Sequence, residues 1–444
     1  MRLIGHDYKY AVEQTAISLF GGAVPEFDSE LRFGDNTVRT RIYGSEVAED
    51  ITGLPPAADT REIQRALKLS FYRAAVKFLP IAPAWGAVSG VKPTRLALLG
   101  IDLEREFYVS PERAELVRST AKFAGAADNA LAENDVVLYV GIPFCPTRCS
   151  YCSFVSVGAA GNNKLIEPYI AALNREIAIV SRKVAESGER VRAVYIGGGT
   201  PTTLSAGQLG ALLQELRISF DLSACDELTV EAGRPDTITL EKLIALRDGG
   251  VTRVSVNPQT MNDEVLRKIG RLHSAEDSIR AFRLVREVGF RQVNMDLIAG
   301  LPVDTAESFR NSVDICLELK PDNLTLHTLT LKKGSAMREG SAQAEISPQL
   351  VGDMLGYAFG KLKSRGYEPY YLYRQKYSAG FENSGWTLPG SECLYNVVMM
   401  EELRTVYALG AGGSTKRVIK ENGEFRASRS FNKKYHKEYI ESMQ

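Results

Sequence analysis

The chain is short of several things that would have given a quick answer. In 444 residues there are four histidines, two tryptophans and six cysteines. Six cysteines are too few for a disulfide scaffold, and four scattered histidines offer no paired partner for a zinc site. No charge of either sign is in excess: Lys+Arg and Asp+Glu both number 54. A zero balance gives no sign of nucleic acid or a membrane surface as the main partner. No apolar run reaches the roughly 18 residues of a membrane span. The closest, AVKFLPIAPAWGAV at 75–88, is interrupted by Lys77, Pro80 and Pro83. The N-terminal MRLIGHDYKYAVEQ has no apolar core of the secretory type. There is no low-complexity segment. These absences predict a cytoplasmic protein whose thiols stay reduced, so any cysteine cluster points to metal or catalysis.

What is present is an alternation. The runs VVLYVGIP (136–143), VYIGGG (194–199), LTVEAG (228–233), RVSVNPQ (253–259), VNMDLIAG (293–300) and NLTLHTL (323–329) are rich in β-formers and nearly continuously apolar. Helical periods lie between them, as at 165–184 and 274–289. Six such units predict an α/β fold with a parallel sheet. Six is too few for a closed eight-stranded barrel, so an open partial (β/α)6 barrel is expected over residues 126–334. Residues 1–125 mix β-like stretches with a helix at 61–79 and read as an N-terminal α+β accessory domain. Residues 335–444 read as a mixed, substrate-side region, with an aromatic cluster YEPYYLYRQKY at 367–377 and a glycine-rich turn ALGAGGSTK at 408–416.

Unusual residues gather at the C-terminal ends of the six runs, where barrels of this kind place their chemistry. Three of the six cysteines stand in GIPFCPTRCSYCSF: Cys145, Cys149 and Cys152. The spacing C-x3-C-x2-C lets three thiolates face one centre. Four-iron clusters usually take four thiolates; three leave one iron open to a small molecule. Cys225, Cys316 and Cys393 are isolated and read as packing residues. After the second run comes GGGTPTT (197–203), whose glycines allow close backbone approach to a ligand. Glu231, Gln259, Asp296 and His327 stand at or near the later run ends.

The cysteine spacing, with Tyr151 before the last cysteine, resembles the radical S-adenosylmethionine (SAM) superfamily. That resemblance implies a 4Fe–4S cluster on Cys145, Cys149 and Cys152, with SAM on the open iron. VEAGRPDTI, SVNPQTMNDEVLRKIGR and NMDLIAGLP resemble the oxygen-independent coproporphyrinogen III oxidase family. WGAVSGVKPTRL (85–96), YYLYRQK and PGSECLYNVVMMEE resemble its HemZ-like branch. The family implies SAM contacts: Gly198, Gly199, Thr200 and Glu231 for the amino group, Gln259 and Asp296 for the ribose, and Arg271 for the carboxylate. Tyr139 matches a tyrosine beside cluster and sulfonium, with a catalytic role, and Tyr151 flanks the cluster. The implied reaction is oxidative decarboxylation of coproporphyrinogen III propionates to vinyl groups, fed by a flavodoxin- or ferredoxin-type donor. Phe154 and Gly141 replace a cysteine and a histidine of the well-understood branch. Phe154 resembles the haem-chaperone (HemW) branch, which gives the alternative of haem binding, or of radical chemistry on haem or another tetrapyrrole. Lys332, Lys333, Arg374 and Lys376 are candidate propionate partners, with Tyr370, Tyr371 and Tyr373 as walls.

Overall fold

The computed structural model describes residues 1–20, 23–154, 156–158, 163–330, 335–339, 347–375, 382–421 and 424–444. Lys332, Lys333 and Lys376 lie outside them. The chain forms two compact units, one of residues 1–121 with 372–383 and one of 122–371 with 384–444.

The first unit pairs strands β1 (Arg2–Ile4), β2 (Glu26–Arg32), β3 (Thr37–Tyr43) and β4 (Val47–Gly53) in that order. Helices α1 (Lys9–Phe20) and α2 (Thr60–Ala75) accompany the sheet. Strict alternation in β3, with Val38, Thr40 and Ile42 buried, gives the sheet one core face. That face packs with Leu67 and Phe71 of α2 and Val12 of α1. Helix α2 starts where the sequence provides a capping box. Asp59 accepts from the Glu62 amide, and Glu62 accepts from the Asp59 amide, both at 2.8 Å.

The second unit is built on β5 (Asp135–Ile142), followed by a two-residue pairing of β6 (Phe144–Cys145) with β7 (Val157–Gly158). Then come β8 (Arg190–Gly198), β9 (Glu227–Glu231), β10 (Arg253–Ser255), β11 (Gln292–Ala299) and β12 (Asn323–Thr328). β5 and β8–β12 pair in parallel and in sequence order. Long helices connect them, for example Ile166–Glu186 and Ala275–Val288. Burial on both sheet faces explains the unbroken apolar runs. This is the open six-unit barrel expected from the sequence.

The tail extends the same sheet at both edges. β13 (Glu368–Arg374) and β14 (Glu382–Thr387) follow β12; β15 (Thr405–Leu409), β16 (Ser414–Glu421) and β17 (Glu424–Phe431) follow β5. The full order is β13-β14-β12-β11-β10-β9-β8-β5-β15-β16-β17. β15 pairs with β5 in parallel, through Ala408 opposite Tyr139.

Candidate functional site

Parallel strands point alternate side chains inward, so each barrel strand can offer a polar residue at every second position without breaking its apolar character. The sequence does this at Tyr139, at Thr229 and Glu231, at Arg253 and Ser255, at Asn294 and Asp296, and at Asn323, Thr325 and His327. All of them line one cavity of about 790 Å³ in the second unit. Gly198, Gly199, Tyr195, Tyr395, Met399, Met400 and Phe431 also line it.

Glu231 is the charged focus. Tyr195 donates its hydroxyl to the Glu231 carboxylate at 2.5 Å. Shielding from bulk water pushes the Glu231 carboxyl up to about 7, with the Tyr195 bond opposing the shift and Asp296 adding to it. Asp296 accepts from Asn294 Nδ2 at 2.7 Å, and its other oxygen lies 3.6 Å from His327 Nε2. Three tyrosine rings stack beside this group. Tyr195 and Tyr395 are 4.6 Å apart at 23°, with Tyr139 6.3 Å from Tyr195. Burial raises the Tyr139 hydroxyl well above its ordinary value, so the ring stays neutral.

The cysteines sit on the loop after β5. Thr200 directs its hydroxyl at Cys145 Sγ at 3.5 Å. Arg234 holds the loop through Thr147 Oγ1 at 2.8 Å and the Thr147 carbonyl at 3.1 Å, and lies 4.0 Å from Cys149 Sγ. Ser150 donates its amide to the Ile269 carbonyl at 3.0 Å, which ties the loop to the turn carrying Arg271. Arg271 is buried and donates to the Asn257 carbonyl at 2.8 Å, the Gly233 carbonyl at 3.3 Å and the Tyr151 hydroxyl at 3.2 Å. Burial works against its charge, but Tyr151 and Cys149 beside it more than offset that and hold it cationic. Gln259 is buried and adopts φ +70°, a conformation costly for a residue with a side chain. Its amide donates to the Asp296 carbonyl at 2.9 Å, which fixes the two residues side by side.

Expected site residues thus fall into two adjoining groups. Tyr139, Gly198, Gly199, Glu231 and Asp296 line the cavity. Cys145, Cys149, Cys152, Tyr151 and Arg271 gather at the cysteine loop, with Thr200 on Cys145 and Gln259 beside Asp296. Tyr370 and Tyr371 line the cavity, but Tyr373 and Arg374 do not. Arg374 belongs to the first unit, where it is buried and donates to Ser18 Oγ at 2.6 Å. The expectation that it faces the cavity is corrected: its partners are structural. Tyr195, Tyr395, Arg234, Thr229 and Ser255 were not singled out by the sequence. The period-2 placement of polar residues within apolar strands is the signal that would have found the strand members.

The surroundings fit a cluster and a polar ligand. Among the described residues no three His, Cys, Asp or Glu side chains converge as one metal ion requires; a multi-iron cluster is wider than a single ion. Added at Gly199, a Cβ would come within 2.6 Å of the Phe144 carbonyl and 3.0 Å of Cys145 Sγ, so only glycine lets the turn lie against the cysteine. Thr229 Oγ1 and Ser255 Oγ are buried on the cavity wall without a hydrogen-bond partner among the described residues. Buried polar atoms are rarely left so, and a bound polar ligand would satisfy them.

The radical SAM superfamily profile matches residues 139–316. The oxygen-independent coproporphyrinogen-III oxidase-like protein HemZ of Bacillus subtilis is 36% identical over 360 residues, covering 78% of this chain and 72% of that protein. The chain belongs to the radical SAM superfamily, in the oxygen-independent coproporphyrinogen III oxidase family. This radical SAM protein is also 33% identical to the heme chaperone HemW of Lactococcus lactis, over 62% of this chain and 68% of that one. Coproporphyrinogen III oxidase (HemN) from Escherichia coli, a radical SAM enzyme, superposes with a TM-score of 0.57 at 28% identity, covering 71% of each chain. Family membership makes the protein a radical SAM oxidoreductase with a 4Fe–4S cluster and SAM as cofactors. Among the described residues no helix is long and apolar enough to cross a membrane.

Proposed function

We propose that the protein oxidatively decarboxylates propionate side chains of coproporphyrinogen III. The observation that carries this reading is the composition of the cavity lining. It combines the carboxylates of Glu231 and Asp296 and the unpartnered hydroxyls of Thr229 and Ser255 with the aromatic and apolar side chains of Tyr370, Tyr371, Met399, Met400 and Phe431. The first set suits SAM, and the second suits a flat macrocycle.

Cys145, Cys149 and Cys152 would hold the cluster. Glu231 with the carbonyls of the glycine turn would hold the SAM ammonium, Gln259 and Asp296 the ribose, and Arg271 the carboxylate. When bound, cluster and SAM supply a 5′-deoxyadenosyl radical able to take a hydrogen atom from an unactivated carbon. The residues of this chain do the rest. Glu231 must be ionised to hold an ammonium, and the Tyr195 hydroxyl favours that form. The Tyr139–Tyr195–Tyr395 stack closes one wall against water. Among the described lining residues the lysine and arginine cations are Arg253 and Lys434. Arg253 is committed to Glu227 and Asn323, so Lys434 is the propionate partner of choice. On the substrate, loss of one hydrogen atom from the propionate β-carbon and then of carbon dioxide leaves a vinyl group and one electron for an acceptor.

A second reading is haem transfer. Phe154 supports it, as an apolar side chain 68% exposed on the cavity lining at the position where the well-understood branch has a cysteine. One experiment separates the two. The anaerobically reconstituted protein is given a reductant, SAM and coproporphyrinogen III, and products are followed by mass. Porphyrin that has lost one or two carboxyl groups, absent with Cys149→Ala, is expected. 5′-Deoxyadenosine with unchanged porphyrin mass would sink the decarboxylase reading. Stoichiometric haem retention under those conditions would establish the alternative.

A further inference from the structure

The segment WGAVSGVKPTRL is absorbed by none of the chemistry above, yet it lines a second cavity. This cleft, of about 440 Å³, lies wholly within the first unit. Ala87, Val88, Pro93, Leu96, Ile101 and Phe107 form its apolar lining. Four cations join them: Arg61, Arg65 and Lys68 from one side of α2, spaced four and three residues apart, and Lys92 from the quoted segment. One lining acid is present, Glu62, and its carboxylate is occupied by the Asp59 amide in the helix cap.

The cations differ in what they already hold. Arg65 pairs with Glu106 and lies 4.9 Å over the Phe107 ring. Lys68 has no ion pair or hydrogen bond among the described residues. Its surroundings depress the ammonium below its ordinary value, through burial alone. A half-buried charge without a counter-ion is costly, and an anion brought from outside would remove that cost. The lining sets the ligand's other property, since an anion on an apolar body would fill it.

We propose that this cleft binds small molecules carrying two or more carboxylates or phosphates on an apolar body, with Lys68 as the receiving charge and Lys92 on the same lining. Two sources share that chemistry: a propionate-bearing tetrapyrrole and a nucleotide. The site stands apart from the reading of the large cavity and does not depend on it.

The test uses the full-length protein, titrated calorimetrically with ADP and, separately, with coproporphyrin III at two ionic strengths. Lys68→Glu and Lys92→Glu are compared with Glu231→Gln, which alters only the large cavity. ADP binding that falls tenfold or more in the lysine variants, weakens with salt and survives Glu231→Gln would assign a nucleotide. Loss of one porphyrin equivalent in the same variants, with that equivalent retained in Glu231→Gln, would assign a tetrapyrrole. If neither probe's binding changes on charge reversal, the proposal is overturned. Should Lys68→Glu fail to fold, Lys68→Met keeps the packed stem and repeats the measurement.

Discussion

Both units bury carboxylates, and they treat them in opposite ways. In the first, Glu382 is fully buried, but Arg113 lies 2.7 Å from one oxygen and Trp85 Nε1 donates to the other at 2.7 Å. In the second, Glu231 accepts from the Tyr195 hydroxyl and the Gly198 amide, has no ion pair among the described residues, and opens onto a cavity whose Thr229 and Ser255 hydroxyls are unsatisfied. Burial therefore does not distinguish a working charge from a structural one. The distinguishing feature is whether the protein itself completes the charge's partners. Glu176 makes the same point inside the second unit. It is buried, yet it accepts from Tyr439, Asn432 and the Gly410 amide at 2.6–2.8 Å, and so it reads as structure.

The comparison can be broken first at the cysteines. Cys149→Ala should abolish the brown cluster chromophore and all 5′-deoxyadenosine formation while the chain stays folded by circular dichroism. Cys316→Ala, buried in the helix Ala306–Leu319, should leave both intact. Retention of the chromophore in Cys149→Ala would remove the cluster from this loop. Next comes the structural carboxylate. Glu382→Gln removes the buried partner of Arg113 and leaves it only the half-exposed Glu112, and should lower stability by about 3 kcal/mol in denaturant titration. A loss under about 1 kcal/mol would mean that this network is not closed as described.

The part of the site legible in sequence was the part carried by local pattern. Continuous apolar runs located all six parallel strands, and tight cysteine spacing located the loop. The added edge strands were not legible, because β16 and β17 carry charge at many positions (Lys416, Arg417, Lys420; Arg426, Arg429) and lack a buried run. The aromatic cluster at 367–377 misled for a physical reason. It is mostly one strand serving two environments: Tyr370 and Tyr371 line the cavity, while Arg374 near its end is packed with Ser18 in the other unit. Nearness in sequence does not make a shared site. Arg234 stands inside VEAGRPDTI, but only the folded turn brings it to Thr147 and Cys149.

Glu231 gives the sharpest contrast with Glu382. The Glu231 carboxyl is ordinarily near 4.5 and is raised to about 7 in the fold. Between those values the folded state holds a proton that the unfolded state has released. Stability of the cofactor-free protein should therefore fall as pH rises from about 4.5 to 7, by about 3 kcal/mol. Glu231→Gln should remove that slope and stabilise the protein at pH 8, the reverse of Glu382→Gln. The same substitution should weaken SAM binding about 10- to 100-fold, the worth of one charged hydrogen bond. If Glu231→Gln destabilised the protein like Glu382→Gln, the distinction between the units would fail.

Tyr195→Phe is the gentlest probe of the same idea. The hydroxyl donates to the ionised Glu231 and so favours it, as do the Gly198 amide and His327; burial and Asp296 oppose ionisation. Removing the donor should raise the carboxyl by about one unit, since about 1.4 kcal/mol corresponds to one unit. SAM affinity measured from pH 6 to 9 should then keep its high-pH plateau while its midpoint moves up by about one unit. At pH 7 that is a loss of several-fold, recovered at pH 9. A merely structural tyrosine would lower the plateau and leave the midpoint in place. The direction of the midpoint therefore decides whether Tyr195 acts on the charge of Glu231 or only on its packing.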